Sequence, residues 1–198
     1  MKNIAIFASG TGSNFQAIAK ACQDGMISAR VALLICDQPE ALVISKAKRL
    51  EVKVFTFSAK EYESKAAYEE ILRDELDKHQ VDLLVLAGYM RLVGKTLLEA
   101  YPNKIVNIHP SLLPAFPGMN SIQRAFESGV KETGITVHFV DSGIDTGPMI
   151  AQRVVKIDES DTLESLEEKM HKVEHQLYVE VLKKLCEHGH NSSDRINE

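Results

Sequence analysis

An asparagine and a histidine stand two residues apart at the end of a short apolar run. Asn107 and His109 follow Ile105 and Val106, and Pro110 comes directly after the histidine. Because side chains alternate between the faces of a strand, the amide and the imidazole are predicted to project from the same face. Pro110 favours an extended backbone at His109, which places the histidine at a rigid strand end. This pair suits acid-base chemistry, and a turn with a structural histidine is an equal alternative on these residues alone.

A carboxylate that can join this pair lies in a turn-rich segment further along. Residues 134–140 alternate like a strand, with Thr136 and His138 on one face. His138 alone is more often a structural histidine than a catalyst. Asp145 follows in a loop dense in turn-forming residues. A rigid loop at a strand end can present its carboxylate to His109.

A glycine-rich turn follows the first apolar run of the chain. Residues 3–8 are typical of a strand buried on both faces, and Gly12, Ser13 and Asn14 then lead into a helical pattern. Backbone amides at the start of such a helix suit a phosphate. The dinucleotide fingerprint requires a third glycine where this chain has Phe15, so a monophosphate is favoured. A tight turn with a capping side chain is the alternative.

Two charged residues follow other predicted strands. Asp37 comes after the apolar run 31–36, where a nicotinamide enzyme would carry its ribose-binding acid. Without the third glycine, we interpret Asp37 as a turn residue. Arg91 follows the run 82–87 and either clamps an anion or is a solvated charge.

The remaining patterns complete a fold prediction. Residues 52–55 and 149–157 are predicted strands, the latter antiparallel to its predecessor because the connection is short. Helices are predicted over 39–50, from Ser58 with Glu61 to 79, and from Asp161 with Glu164 along an apolar stripe to Leu185. We therefore expect a single doubly wound, Rossmann-like α/β domain with a mostly parallel sheet. The last strand or strands are reversed, and a long C-terminal helix packs across the sheet.

Composition limits the classes of function. The 198 residues carry a net charge of −5 with no long basic cluster, so nucleic acid is not expected as a partner. Three separated cysteines argue against a disulfide framework and a zinc site. No signal segment or membrane-spanning run is present, so we expect a cytoplasmic protein without a membrane partner. We expect one domain over 1–188 and a polar tail over 189–198, and the choice between monomer and homodimer is open.

Three segments in order resemble the folate-dependent formyltransferases. They are residues 107–114 (NIHPSLLP), 136–140 (TVHFV) and 145–148 (DTGP). Within that family, residues 9–18 and the one-domain length are similar to the members that formylate glycinamide ribonucleotide in de novo purine biosynthesis. The resemblance covers residues 3 to about 185. It implies transfer of the formyl group of the co-substrate 10-formyltetrahydrofolate to the amine of this nucleotide, with no metal.

The resemblance also implies roles by position. The catalytic residues would be Asn107, His109 and Asp145, supported by His138 and Ser111. Gly12, Ser13 and Asn14 would hold the substrate phosphate, and Glu174 would lie near the amine and ribose. The N-terminal half would thus bind the nucleotide and the C-terminal half the folate. The folate walls would be formed by Lys65, Met90, Arg91, Leu92, Val93, Val140 and Asp141, with Asn107 and Asp145.

The chain departs from the family pattern in two places. Met119 and Asn120 stand where many members have Leu and His, and Lys65 stands where an Arg can contact the folate tail. These changes affect fine ligand contacts rather than the chemistry. Leu113-Pro114 lies in a rigid loop of the kind in which a cis bond occurs.

Four alternatives are weighed against the transferase. A formyltetrahydrofolate hydrolase usually carries an extra N-terminal regulatory domain, and a transferase acting on initiator tRNA carries a basic C-terminal domain. A non-catalytic nucleotide-binding module would use residues 10–14 and would have no reason to combine Asn107, His109 and Asp145. A nicotinamide oxidoreductase is the fourth.

Overall fold

One seven-stranded sheet forms the centre of the protein. The computed structural model describes residues 1–187, so the predicted tail over 189–198 lies outside the described residues. The strands are β1 (Lys2–Ala8), β2 (Ala29–Cys36), β3 (Val54–Thr56), β4 (Leu83–Leu86), β5 (Ile105–His109), β6 (Glu132–Phe139) and β7 (Met149–Lys156). The helices are α1 (Ser13–Gln23), α2 (Leu42–Arg49), α3 (Lys65–Lys78), α4 (Lys95–Ala100), α5 (Ser121–Glu127) and α6 (Leu163–Glu187).

The order of the strands confirms the predicted doubly wound fold. The sheet runs β3-β2-β1-β4-β5-β6-β7, and β1 to β5 are parallel. β6 is antiparallel to both neighbours, so it is the only reversed strand within residues 1–187, and β7 returns to the common direction. The chain moves outward from β1 to β3 and then crosses to β4 on the other side of β1. In such sheets, ligands bind outside the carboxyl ends of the strands at this reversal of order.

Helices cover both faces of the sheet, which explains the uninterrupted apolar runs. In β1, Ile4 and Ile6 pack toward α1, α2 and α6, whereas Ala5 and Phe7 pack toward α3 and α4. The predicted long C-terminal helix, α6, is anchored by Tyr178. Its buried hydroxyl donates to the Leu86 carbonyl at 2.8 Å and lies 3.1 Å from the Val106 carbonyl, which it can also reach. The helix is therefore bonded to the last residue of β4 and to the first half of β5.

Both predicted capping boxes are wrong in position. Ser58 makes no side-chain cap and precedes a 3-10 turn, whereas α3 starts six residues later with the Ser64 hydroxyl accepting the Ala67 amide at 3.1 Å. At α6, Thr162 and Ser165 exchange the amide-to-hydroxyl bonds, one residue beyond the predicted pair. The predicted start of α2 at 39 is also early, because residues 38–41 form a turn closed by a hydrogen bond.

Two further observations bear on the class of protein. The three cysteines are free thiols. No helix within residues 1–187 has both the length and the apolar character needed to cross a membrane.

Candidate active site

A cavity of about 780 Å³ opens where the strand order reverses. The turn after β1, the loop after β4 and the end of β5 form one side of it. The start of α5, the loop after β6 and one face of α6 form the other. Its lining includes most of the predicted site residues: Gly12, Ser13, Asn14, Met90, Arg91, Leu92, Val93, Asn107, His109, His138, Val140, Asp141, Asp145 and Glu174. Lys65 and Ser111 are not among the lining residues.

Asp145 joins the two predicted polar residues of β5. Its Oδ2 lies 3.3 Å from Nδ1 of His109, and its Oδ1 accepts from Nδ2 of Asn107 at 3.4 Å. Asn107 pairs directly with His138 across β5 and β6, which brings the second imidazole to 3.5 Å from the same carboxylate. The structure thus brings together four side chains from two strands and one loop.

His109 is buried, and each of its ring nitrogens faces a hydrogen-bond acceptor. The residue is only 6% exposed, and its Nε2 lies 2.9 Å from the Phe116 carbonyl oxygen. The other ring nitrogen faces Asp145. A neutral imidazole donates from one nitrogen, whereas an imidazolium donates from both. This pair of acceptors therefore suits the charged ring.

Asp145 is held in its ionised form. Burial favours the neutral acid, but hydrogen bonds from His138 and from the Gly118 amide, together with the proximity of His109, lower the pKa of the Asp145 carboxyl below its ordinary value. The Gly118 amide donates to Oδ2 at 2.8 Å. The carboxylate is consequently charged at neutral pH.

The loop 110–120 that carries these backbone groups is fixed to β6. Its Leu113-Pro114 bond is cis. The buried Ser111 hydroxyl donates to the Ala115 carbonyl at 2.6 Å, and the Thr136 hydroxyl donates to the Ser111 carbonyl at 2.7 Å. Gln152 on β7 adds a bond to the Leu113 carbonyl at 2.9 Å. Ser111 thus supports the loop from outside the cavity.

The glycine-rich turn exposes the start of α1. Gly12 precedes Ser13 with φ +72°, and no side chain caps the helix. The first amides of an α-helix have no partner within the helix, so those of α1 are available to an anion at the positive end of its dipole. A Cβ on Gly12 would lie 2.4 Å from Cγ2 of Val43, so this position requires glycine for space as well as for conformation.

We expect Gly12→Ala to lower the free energy of unfolding more than Gly25→Ala. Both positions have φ near +73°, where an alanine costs about 1 to 2 kcal/mol, but Gly25 has open space around it. Overpacking against Val43 adds about 1 to 3 kcal/mol at Gly12. Urea denaturation of the two variants measures the difference, and equal losses would contradict the steric role of Gly12.

Asn14 and Glu174 form the wall beside this turn. Asn14 Nδ2 donates to Glu174 Oε2 at 3.4 Å, and within residues 1–187 the buried Asn14 Oδ1 has no hydrogen-bond partner. Burial raises the pKa of Glu174, although His171 and Asn14 favour the charged form. Sequence reasoning missed His171 and Glu167, which also line the cavity. Their spacing from Glu174 along α6, three and seven residues, is the signal that was available.

The loop after β4 carries the apolar part of the cavity. Met90 and Leu92 are 69% and 50% exposed at its mouth, opposite the exposed Ile144. Lys65 lies behind this loop, where its Nζ donates to the Leu92 carbonyl at 3.0 Å. Val93 is buried in the same wall.

The remaining predicted folate residues have defined partners. Arg91 is neither free nor fully solvated, because its Nε lies 2.7 Å from Oδ2 of Asp37. Asp37 is therefore not a simple turn residue. Asp141 shapes its own loop by accepting from the Thr146 hydroxyl at 2.7 Å and the Gly143 amide at 2.9 Å. These contacts give the loop after β6 a defined form.

Two of the three residues that depart from the family pattern, Met119 and Asn120, lie at the same cavity. Asn120 has φ +55° immediately before α5, and Met119 is exposed beside it. Both residues line the cavity.

The fold and this site define a formyl transferase. The family model described as "Formyl transferase" matches residues 2–182, so the chain belongs to that family, as the three segments predicted. It is 54% identical over 185 residues to phosphoribosylglycinamide formyltransferase of Bacillus subtilis, covering 93% of this chain and 95% of the relative. The structure is similar to that of glycinamide ribonucleotide transformylase 1 from Geobacillus kaustophilus, with a TM-score of 0.92 and 59% identity over 94% of this chain and 99% of that one.

A third similarity concerns a much longer protein. The chain is 41% identical over 176 residues to the trifunctional purine biosynthetic protein adenosine-3 of Drosophila melanogaster, covering 88% of this chain and 13% of that protein. The same kind of unit thus also occurs as one part of a larger chain.

Proposed function

We propose that the protein transfers the formyl group of 10-formyltetrahydrofolate to the amine of glycinamide ribonucleotide. The products are formylglycinamide ribonucleotide and tetrahydrofolate, and the step belongs to de novo purine biosynthesis. The observation that carries the proposal is the convergence of Asn107, His109 and Asp145 in one cavity with the open start of α1. The similarity to enzymes named for this reaction supports it.

The two substrates would occupy opposite ends of the cavity. The amides that follow Gly12 suit the nucleotide phosphate, and Glu174 with the unpaired Asn14 Oδ1 suits ribose hydroxyls and the amine. The exposed apolar side chains of Met90 and Leu92 suit the rings of the folate. The N-terminal half would then bind the nucleotide and the C-terminal half the folate, within one domain over 1–188.

Asn107 and His109 would stabilise the developing charge. The nucleotide amine attacks the formyl carbon, and the carbonyl oxygen becomes an oxyanion. The Asn107 amide and the charged His109 ring are the donors that meet it. His109 Nε2 would exchange the Phe116 carbonyl oxygen, which now lies at 2.9 Å, for this oxyanion. Losing one such donor costs about 100-fold to 1000-fold in rate.

A proton must then pass from the attacking amine to the folate nitrogen that leaves. The charged His109 ring would give its proton to the leaving nitrogen and then take the proton of the former amine, directly or through a water. Asp145 would stay charged throughout and hold the ring in place, since its lowered pKa keeps it ionised. His138 would fix the other oxygen of the same carboxylate.

The reaction is tested by the ultraviolet absorbance change as 10-formyltetrahydrofolate loses its formyl group. Turnover that requires glycinamide ribonucleotide supports the proposal. Turnover without the nucleotide would instead assign the hydrolase, and no turnover in either case would favour the binding module. A thermal shift with nicotinamide dinucleotides would favour the oxidoreductase, although the Asp37 side chain is only 1% exposed and bonded to Arg91.

We expect Glu174→Gln to raise the KM for glycinamide ribonucleotide by about 10-fold to 100-fold, because a hydrogen bond to a charged group is lost. The same variant should be more stable than the wild-type protein at neutral pH. Since the folded-state pKa of Glu174 is raised, the wild-type protein loses stability as pH rises from about 4.3 through that pKa, and the variant does not. Glu168→Gln, an exposed position on the same helix, is the control. An unchanged nucleotide KM would contradict the assignment.

We also propose the setting in which the enzyme acts. The small-molecule substrates and the net charge of −5 favour a cytoplasmic enzyme that uses neither nucleic acid nor a membrane, as a monomer or homodimer, with 189–198 as a polar tail.

A further inference from the structure

We propose that Asp37 is a positioning residue for the folate substrate, because it fixes the loop 88–93 against the end of β1. The inference rests on the proposed function, which places the folate on that loop. Asp37 does not line the cavity and acts through its neighbours.

Within residues 1–187, the Asp37 carboxylate accepts hydrogen bonds from Ser9, Arg91 and its chain neighbour Gln38. Oδ1 accepts the Ser9 hydroxyl at 2.5 Å, and Oδ2 accepts Arg91 Nε at 2.7 Å and the Gln38 amide at 3.4 Å. The Ser9 hydroxyl in turn accepts the Met90 amide at 2.9 Å. The buried Asp37 carboxylate thereby fixes the Met90 backbone through Ser9 and orients the Arg91 side chain directly.

The topology explains why two relays are needed. Asp37 follows β2, whereas the loop follows β4, and β1 lies between these strands. Neighbouring strands lie about 4.8 Å apart, so the backbones at the ends of β2 and β4 are about 10 Å apart, beyond the reach of one backbone hydrogen bond. Ser9 at the end of β1 spans the gap on one side, and the long Arg91 side chain spans it on the other. The contact therefore joins three successive strand ends.

The chemistry of these partners requires a carboxylate. Ser9 and Arg91 both donate, and an ionised Asp37 is an acceptor only. An asparagine of the same shape would offer one oxygen and one amide group, so one donor would face another donor. Met90 and Arg91 would then lose their fixed positions. The sheet would be unaffected, since the Ser9 backbone amide also donates a hydrogen bond to the Gly88 carbonyl at 3.0 Å.

The test is a comparison of two KM values in the Asp37→Asn enzyme. We expect the KM for 10-formyltetrahydrofolate to rise by about 10-fold, the loss typical of a hydrogen bond to a charged group. The KM for glycinamide ribonucleotide and kcat at saturating folate should change by less than about 3-fold. Arg91→Gln combined with Asp37→Asn should be no worse than the worse of the two single variants, because both break the contact between Asp37 and Arg91.

The control is Glu180→Gln, which breaks an exposed ion pair with Arg153 at the same 2.7 Å, away from the cavity. Equal rises in both KM values, or a lower melting temperature with both KM values unchanged, would overturn the positioning role. An inactive wild-type enzyme would count against the proposed function instead. Direct binding of 10-formyltetrahydrofolate to wild-type and Asp37→Asn protein would then still decide the inference: equal affinities would refute it.

Discussion

Replacing His109 with alanine is expected to lower kcat for formyl transfer by about 1000-fold, because one side chain supplies both an oxyanion donor and the proton relay. The fold should survive, since the polar partners of the ring within residues 1–187 are Asp145 and the Phe116 carbonyl. Single-turnover absorbance measurements at saturating substrates isolate the chemical step.

The matched control for this variant is His79→Ala. His79 ends α3 and does not line the cavity. The His79→Ala variant should therefore retain the wild-type rate. Loss of a single oxyanion donor should lower the rate by about 100-fold. If the rate of His109→Ala were instead within about 3-fold of the wild-type rate, the catalytic assignment would be wrong.

Asp145→Asn is expected to lower kcat by about 100-fold or more, because a neutral amide no longer favours the charged His109 ring. The lowered pKa of Asp145 keeps the wild-type carboxylate ionised between pH 6 and 8, so we expect no titration of Asp145 itself in that range. A pH profile of kcat for both proteins is the measurement. A wild-type rate that falls to the Asp145→Asn rate as the pH drops toward 6 would instead mean that Asp145 titrates during catalysis.

Stability gives an independent check on the same carboxylate. A depressed pKa contributes stability that is present above the ordinary value of about 3.9 and is lost as pH falls through the folded-state pKa. Asp145→Asn should therefore reduce the advantage of neutral over acidic pH in the free energy of unfolding. Asp74→Asn, at an exposed position on α3, should leave this dependence nearly unchanged.

The elements with the simplest physical signals were predicted correctly. β1, β2 and β4 are buried on both faces, so their apolar runs were unambiguous, and the short connection after β6 correctly indicated an antiparallel neighbour. The predicted helix starts failed because a capping box is a local motif that several serines can satisfy. The structure has Ser64 rather than Ser58 as the capping residue of α3.

The candidate site was predictable only where side chains carry the chemistry. The strand period placed Asn107 and His109 on one face, and the register of β5 with β6 then brought His138 to them. The Phe116 carbonyl and the Gly118 amide contact the same groups, but backbone groups leave no mark in a sequence.

Asp37 was misinterpreted for a related reason. It stands where turn residues are common, and its partner Arg91 is 54 residues away along the chain. Only the strand order brings the two together.

The short bond between the Gly118 amide and the Asp145 carboxylate also makes this glycine a spectroscopic probe. An amide proton that points at a negative oxygen 2.8 Å from its nitrogen is deshielded, so the Gly118 cross-peak should appear at low field in a nitrogen-proton correlation spectrum. Protonation of Asp145, or a shift of residues 110–120, removes that oxygen or its charge and moves the peak upfield. One resonance therefore follows both the charge of the carboxylate and the position of the loop, in a protein that holds no substrate.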